Sequence, residues 1–219
     1  MTLVPAGKFT FGDGSYNSPQ RQLYLDSFYM DKFEVTLSRY AQFVKATGRD
    51  YPFVLTTTDL SHHGERPVVS VDWNDAETYC RWAGKHLPDE AEWEKAARGT
   101  DARVYPWGNE PPTQSLANFD WDGKQTWQGY QTLSPVGRYE IGRSPYGIYD
   151  MAGNVWEWVA DRVDIRSDKG NPQETLRKMV KGGSWANDQL SLQSAYWYRT
   201  FHALKVNSVG FRCAQWVHQ

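Results

Sequence analysis

Cysteine is almost missing from this chain. Among its 219 residues only Cys80 and Cys213 occur, and no Cys-x-x-Cys pair is present, which argues against a thiolate zinc site. An even count permits one disulfide and equally permits two separate thiols. The five histidines, His62, His63, His86, His202 and His218, form no HExxH motif and no i,i+4 pair. The adjacent His62 and His63 read as a solvated loop. Excess charge of either sign is also missing. Lys and Arg number 24, Asp and Glu 26, and the net charge is −2. Without a basic surplus to hold a phosphate backbone, nucleic acid is not an expected partner. No apolar run approaches the roughly 20 residues of a membrane span. Met1 to Gly7 lacks the charged segment and apolar stretch of a signal peptide. As written, the chain reads as cytoplasmic, unless it is a trimmed form or part of something longer.

What the sequence has is rings and turns. Eleven Trp, 13 Tyr and 9 Phe stand beside 18 Gly and 11 Pro, with a mean hydropathy of −0.71. Long aliphatic runs are therefore few. The core is expected to use large rings wedged between irregular segments, with indole N–H and phenol O–H groups needing partners. A chain of this length buries roughly 70% of its unfolded surface and needs no staple to fold. One large domain over 1–219 is the expected organisation.

Periodicity locates three helices. Thr36 can cap a helix to Thr47, with Leu37, Tyr40, Ala41 and Val44 on one face and Gly48 after it. A second runs from Asn74 to Ala83, burying Ala76, Tyr79, Cys80 and Ala83. A third starts at Asp89, where Asp89 and Glu92 have capping-box spacing, and closes at Gly99. Residues 3–35 read as short strands: Phe9 and Phe11 alternate with polar neighbours, and Leu23, Leu25, Phe28 and Tyr29 follow, interrupted at Asp26-Ser27. Residues 49–70 read as loop. Beyond Gly99 no helical period appears, and the expected strands are Val180 to Trp185, Ala195 to Phe201 and Val209 to Val217. A loop-rich stretch of that length in one domain tends to be functional or metal-organised.

Eight segments in order carry a resemblance. They include Phe28-Tyr29-Met30-Asp31-Lys32-Phe33-Glu34-Val35-Thr36, Pro67-Val68-Val69-Ser70-Val71-Asp72-Trp73, Glu90-Ala91-Glu92-Trp93-Glu94-Lys95-Ala96-Ala97-Arg98-Gly99 and Tyr105-Pro106-Trp107-Gly108. Later come Tyr146-Gly147-Ile148-Tyr149-Asp150-Met151-Ala152-Gly153-Asn154-Val155-Trp156-Glu157-Trp158, then Gly182-Gly183-Ser184-Trp185 and Gly210-Phe211-Arg212-Cys213. The string resembles the sulfatase-modifying-factor, or formylglycine-generating-enzyme, family over essentially the whole chain. The resemblance implies an α+β fold, a loop-rich variant of the C-type lectin fold with few helices around a small twisted sheet. It also implies that Cys80 and Cys213 lie close together, as a disulfide or as neighbouring thiols depending on compartment.

The implied chemistry does not carry over. The family's enzyme holds copper with two cysteines in a Cys-x4-Cys pattern, since soft sulfur suits Cu(I), and oxidises a substrate cysteine to formylglycine. Those positions fall here on Ala195 and Thr200, neither of which can ligate copper. No copper and no formylglycine synthesis are expected. Calcium is different. A hard cation takes six to eight oxygens, and the resemblance places a structural Ca2+ at Asn154, the Val155 carbonyl and Glu157. A second site would begin at Asn118 and Phe119, but Gln128 stands where an Asp is wanted, with Asp120 or Asp122 as substitutes.

In this fold the stretch from Gly182 to Gly210 lines the ligand groove. It contains Trp185, Asn187, Tyr196, Trp197, Tyr198, Thr200, Phe201 and His202. As a strand, 195–201 would turn Tyr196, Tyr198 and Thr200 to one side and Trp197, Arg199 and Phe201 to the other. One side packs inward, and the other displays rings for recognition. His202 has no Ser, Cys or carboxylate partner identifiable by spacing and is not read as a general base. The expected function is a binding module for a protein or small-molecule ligand, in the manner of the family's retroelement-diversified variable proteins. The alternatives are an oxidoreductase of other chemistry, similar to those of siderophore maturation, and a catalytically silent paralogue.

Overall fold

Helix ends are where side-chain chemistry first constrains this backbone, and three of them behave as their sequences dictate. The computed structural model describes residues 1–15, 18–49, 58–162 and 177–217. Helix α1 (Leu37–Thr47) begins at Thr36, whose hydroxyl accepts from the Arg39 N–H, and ends at Gly48 in the left-handed conformation. A short helix α2 (Leu60–His63) lies within the segment read as loop, started by the Asp59 carboxylate on Ser61 N–H. Helix α3 spans Trp73–Trp82 and α4 spans Glu90–Arg98. Each carries a complete capping box, Asp72 with Asp75 and Asp89 with Glu92. The buried residues of α3 are Ala76, Tyr79 and Cys80, as the stripe predicts.

The strands make three small sheets. β1 (Thr2–Val4), β4 (Phe28–Met30) and β9 (Ala214–Trp216) form one, antiparallel throughout and joining the two ends of the described chain. β2 (Gly7–Phe11) and β3 (Arg21–Leu25) form a hairpin. The third has the order β7-β6-β5-β8, from Trp197–Phe201, Arg177–Lys181, Trp156–Arg162 and Val209–Gly210, with β5 and β8 parallel.

Three boundaries differ from the sequence reading. β6 stops at Lys181, because Gly182 and Gly183 turn the chain at φ 95° and 73°. The stretch 209–217 splits between two sheets, with Phe211, Arg212 and Cys213 buried at the crossing. β5 was not foreseen: Trp156 to Val159 are all buried, so the strand shows no inside–outside alternation.

Rings fill the largest core cluster. Tyr40, Phe43, Tyr79 and Phe211 pack with ring centres 5.3–6.3 Å apart, beside Trp158 and Trp185. The Cys80 and Cys213 sulfurs are bonded, tying α3 to the crossing between β8 and β9. Among the described residues no helix is long and apolar enough to cross a membrane.

Candidate functional site

Two regions were nominated by sequence, and the structure builds them in different ways. The first lies around Asn154. The turn before β5 is forced: Gly153 sits at φ 78°, and a Cβ there would stand 2.4 Å from the Asn118 carbonyl oxygen. Asn154 follows at φ 62°. Its amide oxygen accepts from Ser134 N–H at 2.9 Å and from the Asn118 amide at 3.2 Å, while its amide nitrogen donates to Glu34 at 2.7 Å.

Glu157 points the other way along β5. Both its oxygens accept from the Arg212 guanidinium at 2.7 Å, and one also accepts from the Trp93 indole N–H. Asp150 and Glu34 complete a sealed acidic centre. Asp150 Oδ2 accepts from Gly137 N–H at 2.7 Å, and its Oδ1 is buried without a partner. Three buried carboxylates thus face one guanidinium. Burial drives the Glu34 carboxyl well above its usual range, with Asp150 and Glu157 adding repulsion. Burial likewise lifts Asp150 to about 6.

Asn154 and Glu157 are therefore committed to protein donors, whereas Asp150 is the carboxylate with an open oxygen. Glu34, Asp150 and Arg212 stand within the family-like motifs of the sequence, where no local pattern marks them as a site. Their density of charge in otherwise apolar segments was the available signal. Among the described residues no three His, Cys, Asp or Glu side chains form a ready metal cage. An ion here would draw on backbone oxygens as well. The donor set is all oxygen, and with Asp150 Oδ1 unpartnered it suits a hard cation. At the second nominated position, Asn118 bonds Thr132 and Asn154, and Asp120 Oδ1 accepts from Lys124 and Gln125 N–H groups.

The second region is the stretch from 185 to 202. Trp185 is 5% exposed, packs on Trp127 and donates its indole N–H to Asn207, so it belongs to the core. Asn187 is half-buried, its side-chain oxygen accepting from Ser184 at 2.6 Å. Along β7 the expected two-face split is not observed. Thr200 is 8% exposed, whereas Tyr198 is 55% and Phe201 44% exposed. β7 is an edge strand, paired only with β6 among the described residues, so solvent reaches both sides of it. Trp197 packs partly into the second core cluster. Tyr196 and Tyr198 flank the buried Trp156 at ring distances of 6.2 Å, and Arg177 lies over Phe201 at 4.7 Å. His202 is half-buried, and its backbone carbonyl accepts from Trp73 N–H. The Ala195 carbonyl meets the buried Lys181 ammonium at 3.5 Å, which also pairs with Glu94 at 3.1 Å.

Comparison with known proteins gives this geometry its place. The chain matches the model of the sulfatase-modifying factor enzyme 1-like domain over residues 1–217. It is 31% identical to the formylglycine-generating enzyme of Mus musculus over 286 residues, covering 98% of this chain and 74% of that protein. It is 41% identical over 129 residues to inactive Cα-formylglycine-generating enzyme 2 of Bos taurus, covering 55% of this chain and 39% of that one. Among solved structures, Treponema denticola variable protein 1 superposes with a TM-score of 0.75 at 22% identity, over 99% of this chain and 95% of that chain, and so shares the fold. This is the loop-rich, few-helix α+β fold of formylglycine-generating enzymes, and the chain belongs to the sulfatase-modifying factor enzyme 1-like family.

Proposed function

We propose that this protein is a non-catalytic binding domain of its family, presenting the exposed rings of Tyr196, Tyr198 and Phe201 to a protein or small-molecule ligand. The observation that carries the reading is the composition of the edge strand β7 and the turn that leads into it. At Ala195 and Thr200, where the resemblance calls for two cysteines, this chain has a methyl and a hydroxyl, 3% and 8% exposed. Tyr196 and Tyr198 between them and Phe201 after them are exposed, while Trp197 packs partly into the core. Tyr offers large contact area at low entropic cost. A family that includes a protein named as inactive, and a fold shared with one named as variable, support such a role.

The test has two arms. Incubation with copper and a cysteine-containing peptide is expected to yield no aldehyde product. A peptide- or glycan-display selection on the wild type is expected to enrich ligands that a Tyr196→Ala/Tyr198→Ala/Phe201→Ala variant fails to hold. Aldehyde formation, or ligands indifferent to the triple variant, would refute the reading.

We also propose one structural calcium ion at the acidic centre, held by the unpartnered Asp150 oxygen together with backbone oxygens such as the Val155 carbonyl. The unpartnered Asp150 oxygen supports it, as does the imbalance of three carboxylates against Arg212. Elemental analysis of protein purified without added metal should find about one calcium per chain and no copper.

A further inference from the structure

A cleft on the side of the molecule built by α3 and α4 belongs to neither region above. Its volume is about 440 Å3, within the range of small-molecule sites. Five separate segments wall it. Trp73, Glu77 and Arg81 come from one stripe of α3, at i, i+4 and i+8. Asp89 and Glu92 come from the start of α4. His86 comes from the connection between the helices, Ala160 from β5 and Trp216 from β9.

One of its aromatic walls is open to solvent. Trp216 is 63% exposed, and its indole lies flat on the His86 ring, 4.1 Å between centres and 16° between planes. His86 is held by Glu92, both of whose carboxylate oxygens lie 3.0–3.1 Å from Nε2. The Trp73 indole is already a cation platform: Lys178 Nζ stands 3.5 Å from its ring centre.

The charge of the cleft is acidic once its internal pairs are set aside. Arg81 is matched by Glu77 at 2.8 Å, and Lys85 by Asp31 at 2.6 Å. Asp89 and Glu92 remain, beside His86, with Asp161 behind them on the Glu90 N–H. Although much of residue Asp89 faces solvent, its carboxyl is pushed up to about 6, by desolvation first and by Glu92 and Asp161. Lys178, over Trp73 and donating to the Ala160 carbonyl, supplies positive charge on that wall, so the acidic side of the cleft is the one at Asp89, Glu92 and Trp216.

We propose that this cleft binds a small organic cation, one bearing an alkylated ammonium or a guanidinium group. Indole faces attract such cations through the ring quadrupole, and carboxylates beside them add Coulombic attraction in a partly desolvated setting. A neutral ligand of equal size gains the apolar contact but not the rest. The site is independent of the rings on β7.

Choline and argininamide are suitable probes, with 3,3-dimethyl-1-butanol as the uncharged counterpart of choline. Indole N–H resonances in two-dimensional NMR report binding site by site. Saturable shifts at Trp216 and Trp73 are expected with at least one cation, weakening with added salt. Trp216→Leu should lower affinity about tenfold while the melting temperature stays unchanged, and Trp216→Phe should restore part of the loss. Glu92→Gln, which keeps a capping acceptor, should also weaken binding. The proposal fails if the uncharged counterpart binds as tightly as choline. It fails if neither cation saturates below about 10 mM, or if Trp216→Leu binds undiminished.

Discussion

Arg212 and Glu157 meet as a two-pronged ion pair with both contacts at 2.7 Å, and neither side chain has more than 1% of its surface in water. The guanidinium reaches further, donating to the backbone carbonyls of Tyr149 and Asp31. One side chain thus joins the turn before β5, the segment after β4 and the crossing between β8 and β9. Replacing one partner alone leaves a buried charge without its counter-ion. Arg212→Met is expected to cost about 3–5 kcal/mol, read as a lowered urea midpoint. Arg212→Lys should recover only part, because an ammonium cannot reproduce the two-pronged contact.

The disulfide between Cys80 and Cys213 closes a sequence separation of 133 residues. Cross-linking a loop that long restricts the unfolded chain strongly. Cys80→Ala/Cys213→Ala should lower stability by about 3–5 kcal/mol, measured against wild type in urea, and reduction of the wild type should approach the same value.

Asp150 supplies a pH dependence. Its folded value of about 6 exceeds its ordinary 3.8, so the folded state holds this proton more tightly than the unfolded state. The resulting stabilisation is complete below the unfolded value and is lost as pH rises through 6. In chelator, stability should fall by about 2–3 kcal/mol between pH 4 and pH 7 from this group. Asp150→Asn should flatten that part of the profile. Calcium, if held at the same centre, should raise the melting temperature at pH 7 and leave it unchanged in the variant.

Trp185 and Tyr198, both drawn from the same stretch of sequence, should respond oppositely to truncation. Trp185→Ala empties part of the ring-filled core and is expected to cost about 3–5 kcal/mol. Tyr198→Ala removes a ring that is 55% exposed and should change stability by about 0.5 kcal/mol or less. Thermal melts of the two variants separate core from display surface.

The helices at 37–47, 73–82 and 90–98 were legible because caps and apolar stripes are local signals. The family was legible for a related reason: its motifs are contiguous. The acidic centre was not. Glu34, Asp150, Glu157 and Arg212 lie far apart in the chain and converge only through the sheet crossings. Period-2 reasoning failed for two strands of the third sheet, one interior and one at its edge. β5 is buried on both faces, and the edge strand β7 has solvent on both. The cleft at His86 and Trp216 joins residues from five segments, and no single segment advertises it.

The bond between Cys80 and Cys213 also has a topological meaning. It turns most of the chain into a covalent ring with two tails, the longer running from Met1 and the shorter carrying β9. A single protease cut anywhere within the ring leaves one molecule of unchanged mass apart from an added water. Such a nicked protein would run as one band until reduced, and its two pieces would separate only when the sulfurs do.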